Sequence, residues 1–108
     1  MQTTFLMVNI YFQESDLAKK ERLARHLIRD IHDRQMVRGA TLQRAISGFG
    51  HRGQIHEASI LHPEAPLPLR LEFFDTQERA QAAIKYIKEN YEVTVVHWPV
   101  EVDTNGDA

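Results

Sequence analysis

The chain has 108 residues, with 13 basic and 15 acidic side chains and a formal net charge of -2. A chain of this length can form one core without cross-links, and the absence of cysteine excludes disulfides, thiolate catalysis and sulfur-ligated zinc. The net charge provides no overall field that attracts nucleic acid or anionic lipid, so any anion site must be local. We expect one cytoplasmic domain over residues 1–102 and a disordered tail over residues 103–108.

The first half of the chain predicts a strand, a helix and a second strand. Residues 5–13 alternate with period two and are apolar on both faces. Ser15 or Asp16 is predicted to cap a helix with an apolar stripe, Gly39 to end this segment, and residues 40–47 to form the second strand. The basic side chains outside the apolar stripe are predicted to form a solvated face: Lys19, Arg22, Arg25 and Arg29.

The second half predicts two more strands around a second helix. Residues 50–66 form a long connection rich in Gly, His and Pro, and connections of this length are usually functional or mobile. Its apolar residues could also extend a strand: Ile55, Ala58, Ile60 and Leu61. A third strand over residues 67–74 contains Pro68, which belongs at an edge or a bulge. The spacing from Asp75 to Glu78 is that of a capping box, with Asp75 as the cap of the second helix. Residues 91–98 predict a fourth strand that ends, or runs along an edge, at Pro99.

The element order strand, helix, strand, strand, helix, strand predicts an α+β fold. With right-handed crossovers it gives a ferredoxin-like βαββαβ sandwich, in which an antiparallel four-stranded sheet carries both helices on one face. The first strand places Phe5, Met7 and Tyr11 on the other face. An uncovered sheet would expose an apolar patch there, and such patches usually mark interfaces. We therefore expect an oligomer.

A glycine-rich segment after the second strand is the strongest candidate for ligand binding. Glycine lets backbone N–H groups turn toward an anion, and an arginine adds a fixed positive charge. The segment therefore predicts a phosphate site, although a Gly-Phe-Gly run can also simply end a strand and bury one ring. The residues concerned are Gly48, Phe49, Gly50, His51, Arg52 and Gly53.

Other chemistries have weaker signals. His51, His56 and His62 lie in the long connection with Glu57 and Glu64, but their spacing matches no helical or hairpin pair of metal ligands. No arrangement of nucleophile and base indicates an enzyme. The third strand lacks the basic and aromatic signature of RNA-recognition modules, so we expect no nucleic-acid partner.

Four motifs occur in order along the predicted fold: Asn9-Ile10-Tyr11, Arg38-Gly39-Ala40-Thr41, Gly48-Phe49-Gly50 and Ile55-His56-x-x-x-Ile60-Leu61. Together they resemble the PII-like signalling proteins, most closely a small uncharacterised bacterial and archaeal branch of that superfamily. The likeness covers about residues 5–102. It implies a homotrimer whose sheets face a central axis and whose three clefts between subunits hold an adenine nucleotide.

The resemblance also implies roles for particular residues. The loop over residues 51–66 would dock on a membrane transporter or an enzyme. Residues 89–92 replace the glycine- and lysine-rich turn of better-known PII proteins, which favours AMP, ADP or a cyclic nucleotide over ATP with magnesium. Arg38 and Arg44 are candidate substitutes for the missing cations. The nucleotide-binding residues implied are Thr41 near the base and Gly48, Phe49, Gly50, His51 and Arg52 near the phosphates.

The alternative function is a divalent-cation-binding trimer of the cation-tolerance type, with His51, His56 and Glu57 as ligands. Two substitutions separate the alternatives. The nucleotide sensor loses nucleotide binding on Arg52→Ala and keeps its response to metals, whereas the cation-binding trimer loses metal on His56→Ala and does not respond to nucleotides.

Overall fold

The computed structural model describes residues 2–12, 16–45, 47–49, 55–57 and 69–105. The elements in chain order are β1 (Gln2–Phe12), α1 (Leu17–Asp33), β2 (Thr41–Arg44), β3 (Ser47–Phe49), β4 (Ile55–Glu57), β5 (Leu69–Asp75), α2 (Gln77–Asn90) and β6 (Val93–Asp103). Four strands form an antiparallel sheet in the order β2-β5-β1-β6, and β3 and β4 form a separate antiparallel pair among the described residues. The predicted α+β ferredoxin-like fold is confirmed, with the short β3-β4 ladder as an addition.

The core lies between the sheet and the two helices. Alternate residues of β1 and β5 point toward the helices, and the small or aliphatic stripes of α1 and α2 pack on them. No helix within the described ranges is long and apolar enough to cross a membrane. The most deeply buried members of the core are Val8, Ile10, Ala24, Leu27, Leu71, Ala80, Ala83 and Ile87.

The opposite face of the sheet is open. Register places Phe74, Met7 and Trp98 side by side across β5, β1 and β6. On this face the Phe74 side chain is 46% exposed and Trp98 39% exposed, and Tyr11 and Val96 are exposed beside them. The apolar patch predicted for the uncovered face is therefore present in the described chain.

Helix α1 ends before the glycine predicted to end it. Gln35 has a φ of 54°, and the backbone N–H groups of Gln35 and Met36 donate to the carbonyls of His32 and Ile31, each at 3.0 Å. This is a Schellman end with a non-glycine residue in the left-handed region. Gly39 lies well beyond it, so the prediction that Gly39 ends the helix is wrong. The backbone hydrogen bonds after Ile31 decide the end, and residue type alone does not show them.

Two of the predicted strands also differ in their boundaries. The predicted second strand divides into β2 and β3, which pair with different partners. Strand β6 continues through Pro99, which stands opposite Leu6, as far as Asp103, which stands opposite Gln2. Proline fits within β6 because this strand is at an edge of the sheet, where one side of the backbone needs no ladder partner. Residues 106–108 of the predicted tail lie outside the described residues.

The Asp30 carboxylate links α1 to the end of α2 through hydrogen bonds. It accepts hydrogen bonds from the hydroxyls of Tyr86 at 2.6 Å and Tyr91 at 2.7 Å, and from Arg34 Nε at 2.7 Å. The Tyr86 hydrogen bond, followed by those of Arg34 and Tyr91, lowers the pKa of Asp30 from 3.8 to about 2. A carboxyl whose pKa falls on folding stabilises the fold above its unfolded pKa and loses that contribution as the pH falls toward its folded pKa.

Asp30→Asn is expected to lower the free energy of unfolding by about 1–2 kcal/mol at pH 7, because hydrogen bonds to a charged acceptor are replaced by weaker ones. The difference between wild type and variant should shrink between pH 4 and pH 2, since the wild-type carboxylate becomes protonated there. Urea unfolding at a series of pH values measures both effects. A difference that is constant with pH would contradict the assigned role of the charge.

Candidate functional site

A cavity of about 520 Å³ opens on the uncovered side of the sheet. It forms where β5 ends at Asp75, opposite Leu6, while β1 and β6 continue as a pair to Gln2 and Asp103. Beyond the end of β5, residues 38–40, which connect α1 to β2, form this side of the cavity. The lining residues come from all four strands and that segment, and include Phe5, Arg38, Thr41, Glu72, Phe74 and Thr104.

Arg38 is held at the cavity by Asp75. The Asp75 side chain has no exposed surface, and its Oδ1 lies 2.8 Å from Arg38 Nη2. The Arg38 backbone N–H donates to Asp75 Oδ2 at 3.0 Å and the Thr76 N–H to Oδ1 at 2.8 Å. Burial raises the pKa of Asp75, but the Arg38 side chain and the two backbone amides outweigh it, so the pKa lies below its usual value. Asp75 is therefore a charged anchor for Arg38.

This anchoring role replaces the capping role predicted for Asp75. The cap of α2 is Thr76, whose hydroxyl accepts from the backbone N–H of Arg79 at 3.2 Å. Asp75 is the last residue of β5 and faces the helices, where it also lies 3.4 Å from Arg79 Nε. The prediction was wrong because both residues are good helix caps, and only the register of β5 shows which of them points inward.

Aromatic side chains form an apolar wall of the cavity. Phe5 lies on the open face of β1, yet it is only 3% exposed. The Phe74 ring lies 6.1 Å from the Phe5 ring, and the Arg38 guanidinium lies over Phe5 at 5.5 Å from its centroid. The expected exposure of Phe5 is thus wrong, because two neighbours cover it. Phe74 keeps an accessible ring at the cavity.

Polar groups stand on the strands beside this wall. Thr41 begins β2 directly opposite Glu72 of β5, and both line the cavity. With its nitrogen facing β5, the Asn9 amide donates to Glu72 Oε2 at 3.1 Å, and Arg70 Nη2 lies 3.8 Å from the same oxygen. The cavity therefore combines a cation, an aromatic surface, a hydroxyl and a carboxylate, which suits a ligand with an aromatic base and an anionic group.

The structure brings together some of the predicted nucleotide-binding residues and separates others. Arg38 and Thr41 both line the cavity. Arg44 lies at the other end of β2 and forms an ion pair with Glu21 of α1, so it is outside the lining. Gly48 and Phe49 belong to β3, whereas the predictions for Gly50, His51 and Arg52 lie outside the described residues.

The candidate metal ligands are likewise divided. His56 and Glu57 are in β4, and the predictions that involve His51, His62 and Glu64 lie outside the described residues. Among the residues that the structure does describe, no group of three or more His, Asp or Glu side chains could hold a metal ion.

Sequence reasoning did not select Phe5, Glu72, Phe74 or Thr104 as site residues. The signal that could have found Glu72 and Phe74 is the alternation of β5, which places both on the open face. The contact between Phe5 and Phe74 depends on the register of β1 against β5, and Thr104 reaches the cavity because β6 runs past Pro99. Neither the contact between Phe5 and Phe74 nor the position of Thr104 can be deduced from periodicity.

Comparison with known proteins places the chain among PII-like folds. The sequence profile of the DUF190 family, described as an uncharacterized ACR, matches residues 5–102. A candidate PII-like signaling protein from Thermus thermophilus is similar in structure, with a TM-score of 0.58 and 21% identity over 94% of this chain and 90% of that chain.

Two structures of CPII, a nitrogen regulatory PII-like protein from Thiomonas intermedia K12, are also similar. The one bound to ADP, AMP and bicarbonate has a TM-score of 0.57 and 19% identity over 94% of this chain and 91% of that chain. The one bound to ADP and bicarbonate has a TM-score of 0.60 and 17% identity with the same coverage. At these identities the likeness shows a shared fold.

Proposed function

Because the chain belongs to the DUF190 family and has the fold of the PII-like signalling proteins, we propose that it is a regulatory protein, not an enzyme, that binds an adenine nucleotide. The observation that carries this proposal is the cavity where anchored Arg38 meets Phe74 and Thr41. The structurally similar CPII was found with ADP and AMP, so AMP and ADP are the first ligands to test, followed by cyclic nucleotides.

Each part of the cavity suits one part of a nucleotide. The accessible Phe74 ring offers a stacking surface for the base, and Thr41 and Glu72 offer hydrogen-bonding groups beside it. Arg38 offers a positive charge for a phosphate, with its side chain already oriented by Asp75. We propose that Gly48 to Arg52 complete the phosphate site, as the glycine-rich sequence predicts.

Gly39 is consistent with a ligand in this cavity. A Cβ at Gly39 would meet no protein atom within 4 Å, and the backbone φ is outside the left-handed region. Neither packing nor backbone conformation within the described chain therefore requires glycine at this lining position. Close approach of a ligand to the backbone is a remaining reason for a residue without a side chain.

We further propose that three copies assemble through the open face of the sheet. A face that exposes Tyr11, Phe74, Val96 and Trp98 gains free energy when a second copy covers it. The cavity opens on this same side, so a neighbouring subunit would help to enclose the nucleotide. Residues 51–66 would then act on a partner protein, such as a transporter or an enzyme, when the ligand changes their conformation.

Arg38→Ala is expected to weaken ADP binding at least tenfold, because a charge-assisted hydrogen bond to a phosphate contributes about 1.5–3 kcal/mol. Isothermal titration of wild type and variant with ADP measures the change. Lys85→Ala removes an exposed positive charge from α2 and should leave the dissociation constant unchanged. Equal affinity of the Arg38 variant and wild type would exclude this cavity as the phosphate site.

A further inference from the structure

One exposed stripe of α1 carries a net positive charge. Arg22, Arg25 and Arg29 follow one another at i, i+3 and i+7, so they lie on one side of the helix, and all three are exposed. Their side is opposite the buried stripe of Ala24 and Leu27. They form a row that spans about 10 Å along the helix axis. We call these three residues the arginine stripe.

Acidic residues on the same helix offset the charge of the arginine stripe only in part. Glu21 and Asp30 pair with other arginines, and Asp33, one turn beyond Arg29, contacts His32, which is charged only when protonated. The pairs are Glu21 with Arg44, Asp30 with Arg34, and Asp33 with His32 at 2.9 Å. Within the described part of the chain, no carboxylate is in ion-pair contact with Arg22, Arg25 or Arg29. The stripe therefore stands out on a chain whose formal net charge is -2.

An apolar groove lies beside the arginine stripe. A cavity of about 280 Å³ separates the second half of α1 from residues 37–40. Ile28, Ile31, Val37 and Ala40 provide its apolar lining, and Arg29 belongs both to the groove and to the stripe. A ligand that fits both features must present acidic groups and an aliphatic group a short distance apart.

Among anionic partners, a protein segment matches this combination best. A membrane surface requires protruding apolar side chains that enter the lipid, whereas the apolar surface here is a recess. Nucleic acid offers phosphates but no aliphatic side chains, and bases are usually held by stacking on large aromatic rings, whereas α1 contains no Phe, Tyr or Trp. An acidic peptide can place an aliphatic side chain in the groove and its carboxylates on the arginines.

We propose that the arginine stripe and the adjacent groove form a docking surface for an acidic protein segment that also contains aliphatic residues. The arginine stripe lies on the helical side of the molecule, whereas the groove borders the nucleotide cavity, because Arg38, Gly39 and Ala40 line both recesses. The proposal does not depend on nucleotide binding, so the two can fail separately.

Selection of peptides from a displayed random library against the wild-type protein tests this proposal. Selected peptides should be enriched in Asp and Glu together with Leu, Ile or Val. Fluorescence anisotropy of the most enriched peptide then gives its dissociation constant. The combined substitution Arg22→Gln, Arg25→Gln and Arg29→Gln should weaken binding about tenfold, as expected for the loss of three exposed ion pairs.

Matched control variants distinguish the effect of the arginine stripe on binding from the effect of the protein's overall charge. The combination Lys85→Glu with Lys88→Gln removes three units of positive charge from the exposed side of α2 and should leave the affinity within about twofold. Because the stripe residues are exposed, the variant should unfold at the wild-type temperature, and Arg29→Gln alone provides a milder second variant. Replacing the aliphatic residues of the peptide with alanine should weaken binding and so test the groove without altering the protein.

Three results would overturn the proposal. The first is a library selection without acidic enrichment. The second is equal binding of the selected peptide to the wild-type protein and the stripe variant. The third is stripe-dependent binding to phosphatidylglycerol vesicles or to RNA in the absence of peptide binding, which would assign the stripe to another class of partner.

Discussion

Asp75→Ala is expected to lower the free energy of unfolding by about 2–4 kcal/mol and the unfolding temperature by about 10 °C or more. The carboxylate is fully buried and accepts from the Arg38 side chain and from the backbone amides of Arg38 and Thr76. Alanine leaves these two amides without their acceptor and releases Arg38 from its position. Nucleotide affinity should fall as well, since Arg38 is the cation that lines the cavity.

Two further variants identify the cause of this loss. Asp75→Asn keeps one acceptor oxygen and should be destabilised less than Asp75→Ala. Asp33→Ala removes an exposed carboxylate that contacts His32, and its unfolding free energy should stay within about 0.5 kcal/mol of wild type. Thermal and urea unfolding measure all three. A wild-type unfolding temperature for Asp75→Ala would refute the anchoring role.

Trp98→Glu is expected to convert the proposed trimer into monomers. Trp98 lies on the open sheet face beside Met7 and Phe74 and is 39% exposed in the single chain. If another subunit covers this face, glutamate at this position must bury an unpaired charge, which costs several kcal/mol. Sedimentation equilibrium should show a mass roughly one third of that of the wild type.

Ala82→Glu provides the matched control for this substitution. Ala82 is exposed on α2, on the helical side of the molecule, so the same new charge should not affect assembly. Trp98→Phe keeps an apolar ring and should retain the trimer. If the wild type is itself monomeric, or if Trp98→Glu sediments as a trimer, the open face is not the assembly interface.

Much of the fold could be predicted from the sequence because the signals are local. Period-two alternation in β1 and β5 and the apolar stripes of α1 and α2 follow directly from which face each residue presents. The left-handed Gln35 after α1 is set by local backbone hydrogen bonds and by Arg79 Nη2, which donates to its carbonyl at 3.0 Å, and the inward position of Asp75 follows from the register of β5. Residue type alone does not encode such contacts.

The candidate site could be predicted only in part for a related reason. Arg38 and Thr41 are selected by the resemblance to PII-like proteins, and both line the cavity. Phe5 and Glu72 join them because register aligns β1, β2 and β5, which no single stretch of sequence reveals. The roles of residues 50–52 stay predictions from their glycine and arginine content.

Thermal unfolding of the purified protein with AMP, ADP, ATP, cyclic AMP, cyclic di-AMP or GDP tests the central claim most directly. A ligand present at a hundred times its dissociation constant stabilises the folded state by about 2.7 kcal/mol, which raises the unfolding temperature by several degrees. The proposed function predicts such a rise with AMP, ADP or a cyclic adenine nucleotide, and a smaller one with ATP and with GDP. Unchanged unfolding temperatures with every adenine nucleotide would contradict it.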